Sequence, residues 1–447
     1  MKLLLTGATG YVGQFVGRRL VDDGHEVIAL TRSPEQARLS FPAHVTDLTS
    51  LSDFSDIDGV VHLAGASIAD QRWTNSYKKT LYKSRVDFTK KIIESLKTNN
   101  LKVWVQMSAT GYYEPQAEPK ITEESGKKAT GFLGDLVEDW ESSVDELNTR
   151  VVKLRMGMVI GEKSHALEKM IPIFRSGLGA VLGSGKQYMP WVHIDDAVSV
   201  MAESLKDSSY SGVYNLTAPE LIQNKTFTKD LVNTLEAIHV LPPAPTLSLK
   251  ILYGEMSQII LNSLPVYPEN LEKQGFKFKY PKLKEALLEA IPKLETGERI
   301  LTRMQWIPKS LEETFEFFQN EKNLEDITPP SLNFKVLKKS TSKIEKGSLI
   351  DYKLKINGIP IRWRTLIATW NPPESFSDYQ LKGPYKKWDH THNFRPLGNG
   401  TLMEDRVIYK LPLGLVGRIF GMWYVKKDVN KIFNYRWDKV KKIFKAH

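Results

Sequence analysis

The feature that most constrains the fold is a glycine-rich turn near the start of the chain. Gly7, Gly10 and Gly13 follow an apolar run at residues 3–5 and precede apolar residues at helical spacing. In a strand–turn–helix unit, such glycines let the backbone approach a pyrophosphate, and the helix N-terminus offers free N–H groups to phosphates. The turn therefore predicts a dinucleotide site, and the alternative is a structural turn without a ligand. The turn residues predicted to bind the cofactor are Gly7, Thr9, Gly10, Tyr11, Val12 and Gly13.

Apolar runs alternate with helical patterns throughout the first half of the chain. The runs at residues 27–30, 59–64, 103–107 and 151–155 are typical of buried strands. Parallel strands need crossover connections, so this alternation predicts an α/β fold with a Rossmann-type, doubly wound parallel sheet. The more irregular residues 158–291 are expected to form most of a small cap. This first domain is expected to span residues 1–295.

The period of the pattern changes after a break near residues 292–297. Residues 298–307 alternate as a strand, residues 310–318 form an amphipathic helical pattern, and Asn357-Gly358 is a strong hairpin signal. A long amphipathic helix is predicted from about residue 415 to residue 444. We therefore expect a second, α+β domain over residues 298–447, in which a curved antiparallel sheet packs around this helix.

The residues after the second predicted strand indicate which cofactor the site prefers. An acidic residue there would bind a ribose 2′-hydroxyl, but the sequence has Arg32, whose guanidinium suits a 2′-phosphate. NADP(H) is therefore the predicted cofactor, unless Arg32 is an ordinary surface arginine. Asp47 and Leu48 follow a third predicted strand and are expected to flank the adenine.

Further motifs carry a family resemblance across the first domain. They are Leu63-Ala64-Gly65, Arg72-Trp73, Ser84-Arg85, Ser108-Ala109-Thr110-Gly111-Tyr112-Tyr113, Leu182-Gly183-Ser184-Gly185-Lys186-Gln187, Trp191-Val192-His193-Ile194-Asp195-Asp196, Tyr214-Asn215-Leu216-Thr217-Ala218-Pro219 and Gly275-Phe276-Lys277-Phe278. With them, the region resembles the extended, atypical branch of the short-chain dehydrogenase/reductases, in particular the NAD-dependent epimerase-like, YfcH-like proteins. The resemblance implies that Leu63, Ala64 and Gly65 line the NADP site together with the glycine turn and Arg32.

The resemblance also raises the question of which residues would carry out catalysis. The superfamily uses a Tyr-x-x-x-Lys pair, but Phe132 and Leu136 occupy the corresponding positions, and neither transfers a proton. Arg85 appears where the superfamily often has an asparagine. The substitutes suggested by position are Ser108, Tyr112, Tyr113 and Arg85, with either tyrosine as the acid. The alternative is that both tyrosines only pack and form hydrogen bonds.

The second domain resembles the SRPBCC (START-like, polyketide cyclase-like) ligand-binding superfamily. The resemblance rests on Gly383-Pro384, Trp388-Asp389-His390-Thr391-His392-Asn393-Phe394, Gly400-Thr401, Asp405-Arg406 and Tyr409-Lys410-Leu411-Pro412. It implies a helix-grip fold with a cavity for an apolar small molecule, the alternative being a filled core. One strand face, formed by Ile361, Trp363, Thr365, Ile367 and Thr369, is expected to line that cavity.

No metal site is predicted. His390 and His392 share one strand face, but the sequence supplies neither a cysteine nor a third ligand at suitable spacing. Hydrogen bonds across the sheet are the preferred interpretation of this pair.

Composition narrows the possible partners and compartments. The chain has 62 Lys and Arg against 52 Asp and Glu, and no cysteine. The positive excess lies in the second domain, where we expect a solvated lysine-rich surface, since no nucleic-acid motif accompanies it. With no signal peptide and no long apolar run, a cytoplasmic protein without stable membrane insertion is expected. The oligomeric state is left open.

Two functions fit these features. The first is an NADP(H)-dependent oxidoreductase or epimerase-like enzyme for a small carbonyl or apolar molecule, with a fused pocket for an apolar ligand. The second is a catalytically inactive, NADP(H)-dependent sensor or carrier of that ligand, suggested by Phe132 and Leu136.

Overall fold

The computed structural model of the protein describes residues 1–53, 56–96, 101–117, 120–238, 241–356, 358–412 and 422–445. The chain divides into two compact units. The first contains Met1–Gln36 and His44–Lys293, and the second contains Ala37–Ala43 and Leu294–His447.

The first unit is built from short strands and helices that alternate along the chain. Its strands are β1 (Lys2–Thr6), β2 (Glu26–Leu30), β3 (His44–Thr46), β4 (Gly59–His62), β5 (Val103–Ala109), β6 (Arg150–Met156), β7 (Met158–Ile160), β8 (Trp191–His193) and β9 (Gly212–Leu216). Its α-helices are α1 (Tyr11–Asp22), α2 (Asn75–Tyr82), α3 (Phe88–Ser95), α4 (Phe132–Ser142), α5 (His165–Arg175), α6 (Ile194–Lys206), α7 (Asn224–Leu235), α8 (Thr246–Tyr253), α9 (Gln258–Leu261), α10 (Glu269–Lys273) and α11 (Leu283–Ala290). A π-helical turn (Lys83–Asp87) joins α2 to α3, and short 3-10 turns lie at Pro34–Gln36, Leu51–Asp53, Thr110–Tyr112 and Gly254–Ser257.

In the described residues of the first unit, the main sheet has seven parallel strands in the order β3-β2-β1-β4-β5-β6-β9. The strands are buried runs of branched residues, as a sheet covered by helices on both faces requires. The predicted Rossmann-type sheet is therefore confirmed. Its strand order reverses between β1 and β4, and the carboxyl ends of these two strands are where this kind of sheet binds ligands.

Residues 158–291 only partly form a separate cap. Strands β7 and β8 pair in a small sheet, and helices α5, α7 and α11 pack beside it around Trp191 and Phe227. Helix α6, however, packs against α1, and β9 adds to the main sheet beside β6. The irregular pattern of this region concealed a buried strand, because β9 is only five residues long.

The second unit has an antiparallel sheet and a long C-terminal helix. Its elements are β10 (Glu298–Ile307), α12 (Leu311–Gln319), α13 (Glu321–Asp326), a 3-10 turn (Pro330–Leu332), β11 (Lys335–Lys339), β12 (Leu349–Ile356), β13 (Ile359–Asn371), β14 (Ser375–Lys382), β15 (Lys387–Leu397), β16 (Gly400–Lys410) and α14 (Met422–Phe444). The strands that the structure describes here run in the order β10-β16-β15-β14-β13-β12-β11. Ser310 forms a capping box with Glu313 at the start of α12.

The predicted hairpin and the predicted terminal helix are both found, within the described residues. Ile356 pairs with Ile359 across the predicted two-residue turn, whose Asn357 lies outside the described residues. Residues 415–421 of the predicted helix also lie outside them, and the helix is described from Met422. Its buried residues Val429 and Phe433 pack on the sheet, as the apolar stripe predicts.

A cavity of about 180 Å³ lies between the sheet and helices of the second unit. Trp363, Thr365 and Ile367 line it, as expected, whereas the half-buried Ile361 is not among its lining residues and Thr369 is exposed. An irregularity in the β13–β14 register after Ile367 reverses the alternation, so that Trp370 takes the place predicted for Thr369.

Over the same described ranges, every helix is either too short or too polar to cross a bilayer.

Candidate functional site

The glycine turn joins β1 to α1 in a conformation that only glycine fits. Gly7 has a φ of +69°, and a Cβ on Gly13 would stand 2.1 Å from the carbonyl oxygen of Gly7. Gly10 is the N-cap of α1 and provides no side-chain acceptor, and the first turn of α1 contains no acidic residue. The first N–H groups of the helix thus keep their capacity to bind an anion. Such a turn fits a phosphate-bearing cofactor.

The chain leaving β4 is fixed against this turn. Thr6 Oγ1 accepts hydrogen bonds from the backbone N–H groups of Leu63 and Ala64, both at 3.1 Å. Its own proton points to His62 Nδ1 at 2.7 Å, and His62 Nε2 lies 2.8 Å from Thr89 Oγ1. Burial lowers the pKa of His62 to about 3, so the imidazole is neutral at physiological pH. The network holds the predicted cofactor residues Leu63 and Ala64 beside Gly7.

Arg85 lies next to this segment, within the π-helical turn. Its Nη2 donates to the carbonyl oxygen of Ala66 at 2.9 Å, and its Nη1 reaches that of Leu81 at 3.4 Å. In the part of the chain that the structure describes, its recorded partners are carbonyl groups and the ring of Trp140, and no carboxylate is among them. Burial lowers the pKa of Arg85 to about 10, which leaves the side chain charged at physiological pH. An unneutralised, half-buried guanidinium here can bind an anionic ligand.

The other predicted cofactor residues lie at the ends of neighbouring strands. Arg32 is exposed two residues after β2. Asp47 follows β3 and accepts hydrogen bonds from the N–H and hydroxyl groups of Thr49, which lower its pKa. Leu48 is half-buried and packs against the core of the main sheet. The structure therefore places Arg32, Asp47 and Leu48 at the carboxyl ends of the neighbouring strands β2 and β3. The carboxylate of Asp47 already accepts hydrogen bonds within its own turn.

Ser108 belongs to a buried ionic network near the end of β5. Its hydroxyl donates to Glu141, and Glu141 receives two hydrogen bonds from Arg155, at 2.8 and 2.7 Å. Sequence reasoning missed Glu141 and Arg155 because they lie 33 and 47 residues along the chain from Ser108, on α4 and β6. The network orients Ser108 and shields the charge of Arg155.

The two candidate tyrosines lie in different surroundings. Tyr113 is buried and donates its hydroxyl proton to Asn215 Oδ1 at 2.7 Å, and burial raises its pKa to about 12. The ring of Tyr112 is half-buried, and the guanidinium carbon of Arg155 lies 3.5 Å from its centre. The same guanidinium carbon lies 4.9 Å from the ring centre of Tyr113, so the two tyrosines differ in burial and in the hydrogen bond that engages the Tyr113 hydroxyl.

Phe132 is the first residue of helix α4 and Leu136 lies one turn later, where the superfamily's tyrosine and lysine are expected. The ring of Phe132 meets Trp73 edge to face at 5.6 Å, and Lys78 Nζ lies 5.0 Å from its centre. Leu136 is buried. Phe132 and Leu136 therefore pack against their neighbours, and Phe132 also makes a cation–π contact with Lys78.

A cluster of polar side chains lies where β8 ends and α6 begins. His193 Nδ1 accepts a hydrogen bond from the N–H of Asp195, and its Nε2 lies 2.8 Å from Glu289. The carboxylate of Asp196 accepts hydrogen bonds from the N–H groups of Lys279 and Tyr280. These hydrogen bonds connect the start of α6 with helix α11 and with the segment that contains Lys279 and Tyr280.

Two family models match the chain. The model described as the NAD dependent epimerase/dehydratase family matches residues 3–217, and a domain of unknown function, DUF1731, matches residues 244–290. An Arabidopsis thaliana chloroplastic homolog of the epimerase family protein SDR39U1 is 34% identical over 300 residues, covering 64% of this chain and 86% of the relative. An epimerase family protein of Staphylococcus aureus strain N315 is 35% identical over 297 residues, covering 64% of this chain and 98% of the relative.

Solved structures show the same likeness. The human epimerase family protein SDR39U1 (isoform 2), solved with NADPH, superposes with a TM-score of 0.60 at 28% identity, covering 65% of this chain and 99% of that one. A nucleoside-diphosphate sugar epimerase from Corynebacterium glutamicum, at 24% identity and a TM-score of 0.52, covers 65% of this chain and 58% of its own length, and shows the shared fold.

These relatives confirm the epimerase-like resemblance of the first domain. The NADPH in the human structure is also the cofactor that Arg32 predicts. The resemblance of the second domain to the SRPBCC superfamily stays a prediction. The chain belongs to the NAD dependent epimerase/dehydratase family.

Proposed function

We propose that the first unit binds NADP(H) and acts as an oxidoreductase or epimerase-like enzyme on a small carbonyl or apolar molecule. Two observations carry this proposal. The start of α1 has no side-chain cap, and Arg85, which lies half-buried against Gly65, has no acidic partner among the described residues. Both features attract the phosphates and other anionic groups of a dinucleotide or its substrate. The human relative solved with NADPH supports the choice of cofactor.

Arg32 is proposed to select NADP(H) over NAD(H). It is exposed at the end of β2, and no ion pair is recorded for it over the described residues. A guanidinium there can form two hydrogen bonds to a 2′-phosphate, whereas it gains little from a 2′-hydroxyl.

When bound, the cofactor supplies or accepts a hydride, and the surrounding side chains handle charge and protons. Arg85 is proposed to stabilise negative charge on the substrate or cofactor, because its charge is not neutralised locally. Ser108 is proposed to position the substrate oxygen through its bond to Glu141. Of the two tyrosines, Tyr112 is the better proton donor, since the hydroxyl of Tyr113 is engaged with Asn215.

The second unit is proposed to be a helix-grip domain that holds an apolar small molecule in its cavity. The antiparallel sheet, the C-terminal helix and the aromatic lining of the cavity support this. The domains are proposed to span residues 1–295 and 298–447.

A sensor or carrier without catalytic activity is the second candidate function. The contacts of Phe132 and Leu136 favour it, because a phenylalanine on Trp73 and a buried leucine replace the superfamily's proton-transfer pair. Such a protein would bind NADPH without oxidising it, and its ligand affinity would differ between NADPH and NADP⁺.

The test is calorimetric titration of the full chain with NADPH and with NADH. We expect NADPH to bind more tightly, and Arg32→Ala to remove that preference while leaving NADH binding unchanged. Arg19→Ala is the matched control, because Arg19 is a surface arginine of the same unit that pairs with Asp23. Failure to bind either nucleotide would refute the proposal.

The same preparations then separate the two functions. Absorbance of NADPH is followed during incubation with a panel of aldehydes and ketones, with Tyr112→Phe as the variant and Tyr113→Phe as the comparison. Turnover that falls in Tyr112→Phe supports the enzyme. Tight binding without turnover supports the sensor or carrier.

A further inference from the structure

Two histidines and two aspartates meet on one face of the second unit's sheet. Asp378 on β14 pairs with His390 on β15, and Asp405 on β16 pairs with His392. Because residues two apart along a strand face the same side, His390 and His392 point together, and both line the cavity with Asp378. His390, His392 and Asp405 are buried, and Asp378 is half-buried.

The distances place Asp378 close to one nitrogen of each histidine, and Asp405 close to the other nitrogen of each. Asp378 Oδ2 lies 3.4 Å from His390 Nδ1 and 3.6 Å from His392 Nε2. Two ligands of a tetrahedral ion with bonds of about 2.1 Å lie roughly 3.4 Å apart, so this spacing suits three ligands of one ion. One ligand atom from each of the three residues lies within 4.8 Å of the others.

Asp405 occupies the position of an outer partner. Its Oδ1 lies 2.9 Å from His390 Nε2 and 2.9 Å from His392 Nδ1, on the ring atoms that face away from Asp378. The contact to His390 is a hydrogen bond, whereas the nearby His392 Nδ1 is not aligned for one. A carboxylate behind a histidine orients the ring of a metal ligand and fixes which nitrogen carries the proton.

We propose that Asp378 Oδ2, His390 Nδ1 and His392 Nε2 bind one divalent transition-metal ion, with Asp405 orienting the ring of His390 through its hydrogen bond and lying 2.9 Å from Nδ1 of His392. Two histidines and a carboxylate suit Zn²⁺ or Fe²⁺. With three protein ligands, a further coordination position faces the cavity. We therefore expect the pocket to bind a ligand with an apolar body and an oxygen that can coordinate the metal, such as a carbonyl or carboxylate oxygen.

The charge of the cluster favours a bound cation. Asp378 and Asp405 contribute two carboxylates. Asp405 has Arg436 at 3.4 Å and pairs in strand register with Arg303, whereas the ion-pair partners of Asp378 within the described residues are the two histidines. Buried carboxylates need such compensation, because burial without it is costly. This inference concerns the second unit and holds whether or not the first unit turns over a substrate.

The experiment measures metal uptake by the full-length chain without an affinity tag. The protein is treated with a chelator and dialysed, then titrated with Zn²⁺ by calorimetry, and bound zinc is counted by mass spectrometry. We expect one zinc per chain. Asp378→Asn and His392→Gln should lose more affinity than the roughly 10- to 100-fold expected for the outer-partner variant Asp405→Asn.

Asp351→Asn is the matched control, because Asp351 is a carboxylate on the same sheet that pairs with the exposed Arg364. It should bind zinc like the unmodified chain. Substitution by Co²⁺ gives a readout that does not depend on variants, since its visible absorption distinguishes a four-coordinate site with histidine ligands from the hydrated ion.

Three outcomes would overturn the proposal. The first is an unmodified chain that binds no zinc and leaves Co²⁺ with the spectrum of the hydrated ion. The second is zinc uptake by Asp378→Asn equal to that of the Asp351→Asn control. The third is an unmodified chain that takes up no zinc but binds a fluorescent fatty acid, with that binding abolished in His392→Gln. The cluster would then bind the polar end of the ligand directly.

Discussion

Arg85 lies directly against Gly65, with its guanidinium carbon 3.1 Å from the position that a Cβ on Gly65 would occupy. A glycine at the end of the β4 segment therefore gives a charged side chain access to the edge of the sheet where the cofactor is expected. The contact connects a predicted cofactor residue with a predicted catalytic residue.

Arg85→Gln is expected to weaken NADPH binding by about 10- to 100-fold, because a hydrogen bond to a charged group is worth about 1.5–3 kcal/mol. Gly65→Ala should weaken it less, since the guanidinium need only shift slightly. Calorimetry measures both. Arg150→Gln is the matched control, because Arg150 also donates to backbone carbonyls but begins β6, at the opposite edge of the sheet. Equal effects of Arg85→Gln and Arg150→Gln would contradict the assignment.

Glu141→Gln is expected to lower the free energy of unfolding by about 3 kcal/mol or more, because it leaves the buried Arg155 without its counter-charge. Urea denaturation followed by circular dichroism measures the loss. Glu138→Gln removes a partly exposed carboxylate from the same helix and should cost less than about 1 kcal/mol. If the two variants were equally stable, the buried network would not support the fold as inferred.

The stability of the first unit should decrease in acid partly through His62. Its pKa is about 3 when folded, against about 6.5 in an unfolded chain. Between these values the unfolded chain binds the extra proton, so stability is present above pH 6.5 and is lost as the pH falls. From pH 7 to pH 5 the loss should be about 2 kcal/mol.

The comparison for this prediction is His62→Gln, which keeps a donor and an acceptor but does not titrate. Its urea midpoint should change less between pH 7 and pH 5 than that of the unmodified chain. Parallel pH dependences would show that His62 is not the group responsible.

Filling the cavity of the second unit should reduce binding of an apolar ligand. Leu324 lines the cavity from α13, and Leu324→Trp is expected to occupy much of its space. The measurement is the fluorescence of an apolar dye titrated into the full chain, checked against a thermal melt. Leu337→Trp, at an exposed position on β11, should bind the dye normally. Normal binding by Leu324→Trp would place the dye elsewhere.

The sequence predicted the architecture well because local signals set it. The spacing of Gly7, Gly10 and Gly13 after an apolar run fixed the first strand–turn–helix unit, and alternation at residues 298–307 matched strand β10 to the residue. The prediction was weaker where strand pairing in the folded protein departs from the apolar–polar pattern of the sequence. The short strand β9 was assigned to the cap, and the β13 irregularity exchanged Thr369 for Trp370.

The site residues divide in the same way. The local arrangement of residues close in sequence, such as the glycine turn and Leu63-Ala64-Gly65, could be predicted because one turn or one strand end positions them, and their binding of the cofactor stays a prediction. The partners of the site residues could not be predicted from the sequence. Glu141 reaches Ser108 only through helix–sheet packing, and Asp378 reaches the two histidines only through strand register. The sequence alone determined the alternating strand–helix fold of the first unit and the glycine turn between β1 and α1. Tertiary structure decided which charges meet, because contacts between distant segments depend on packing and register that no local pattern encodes.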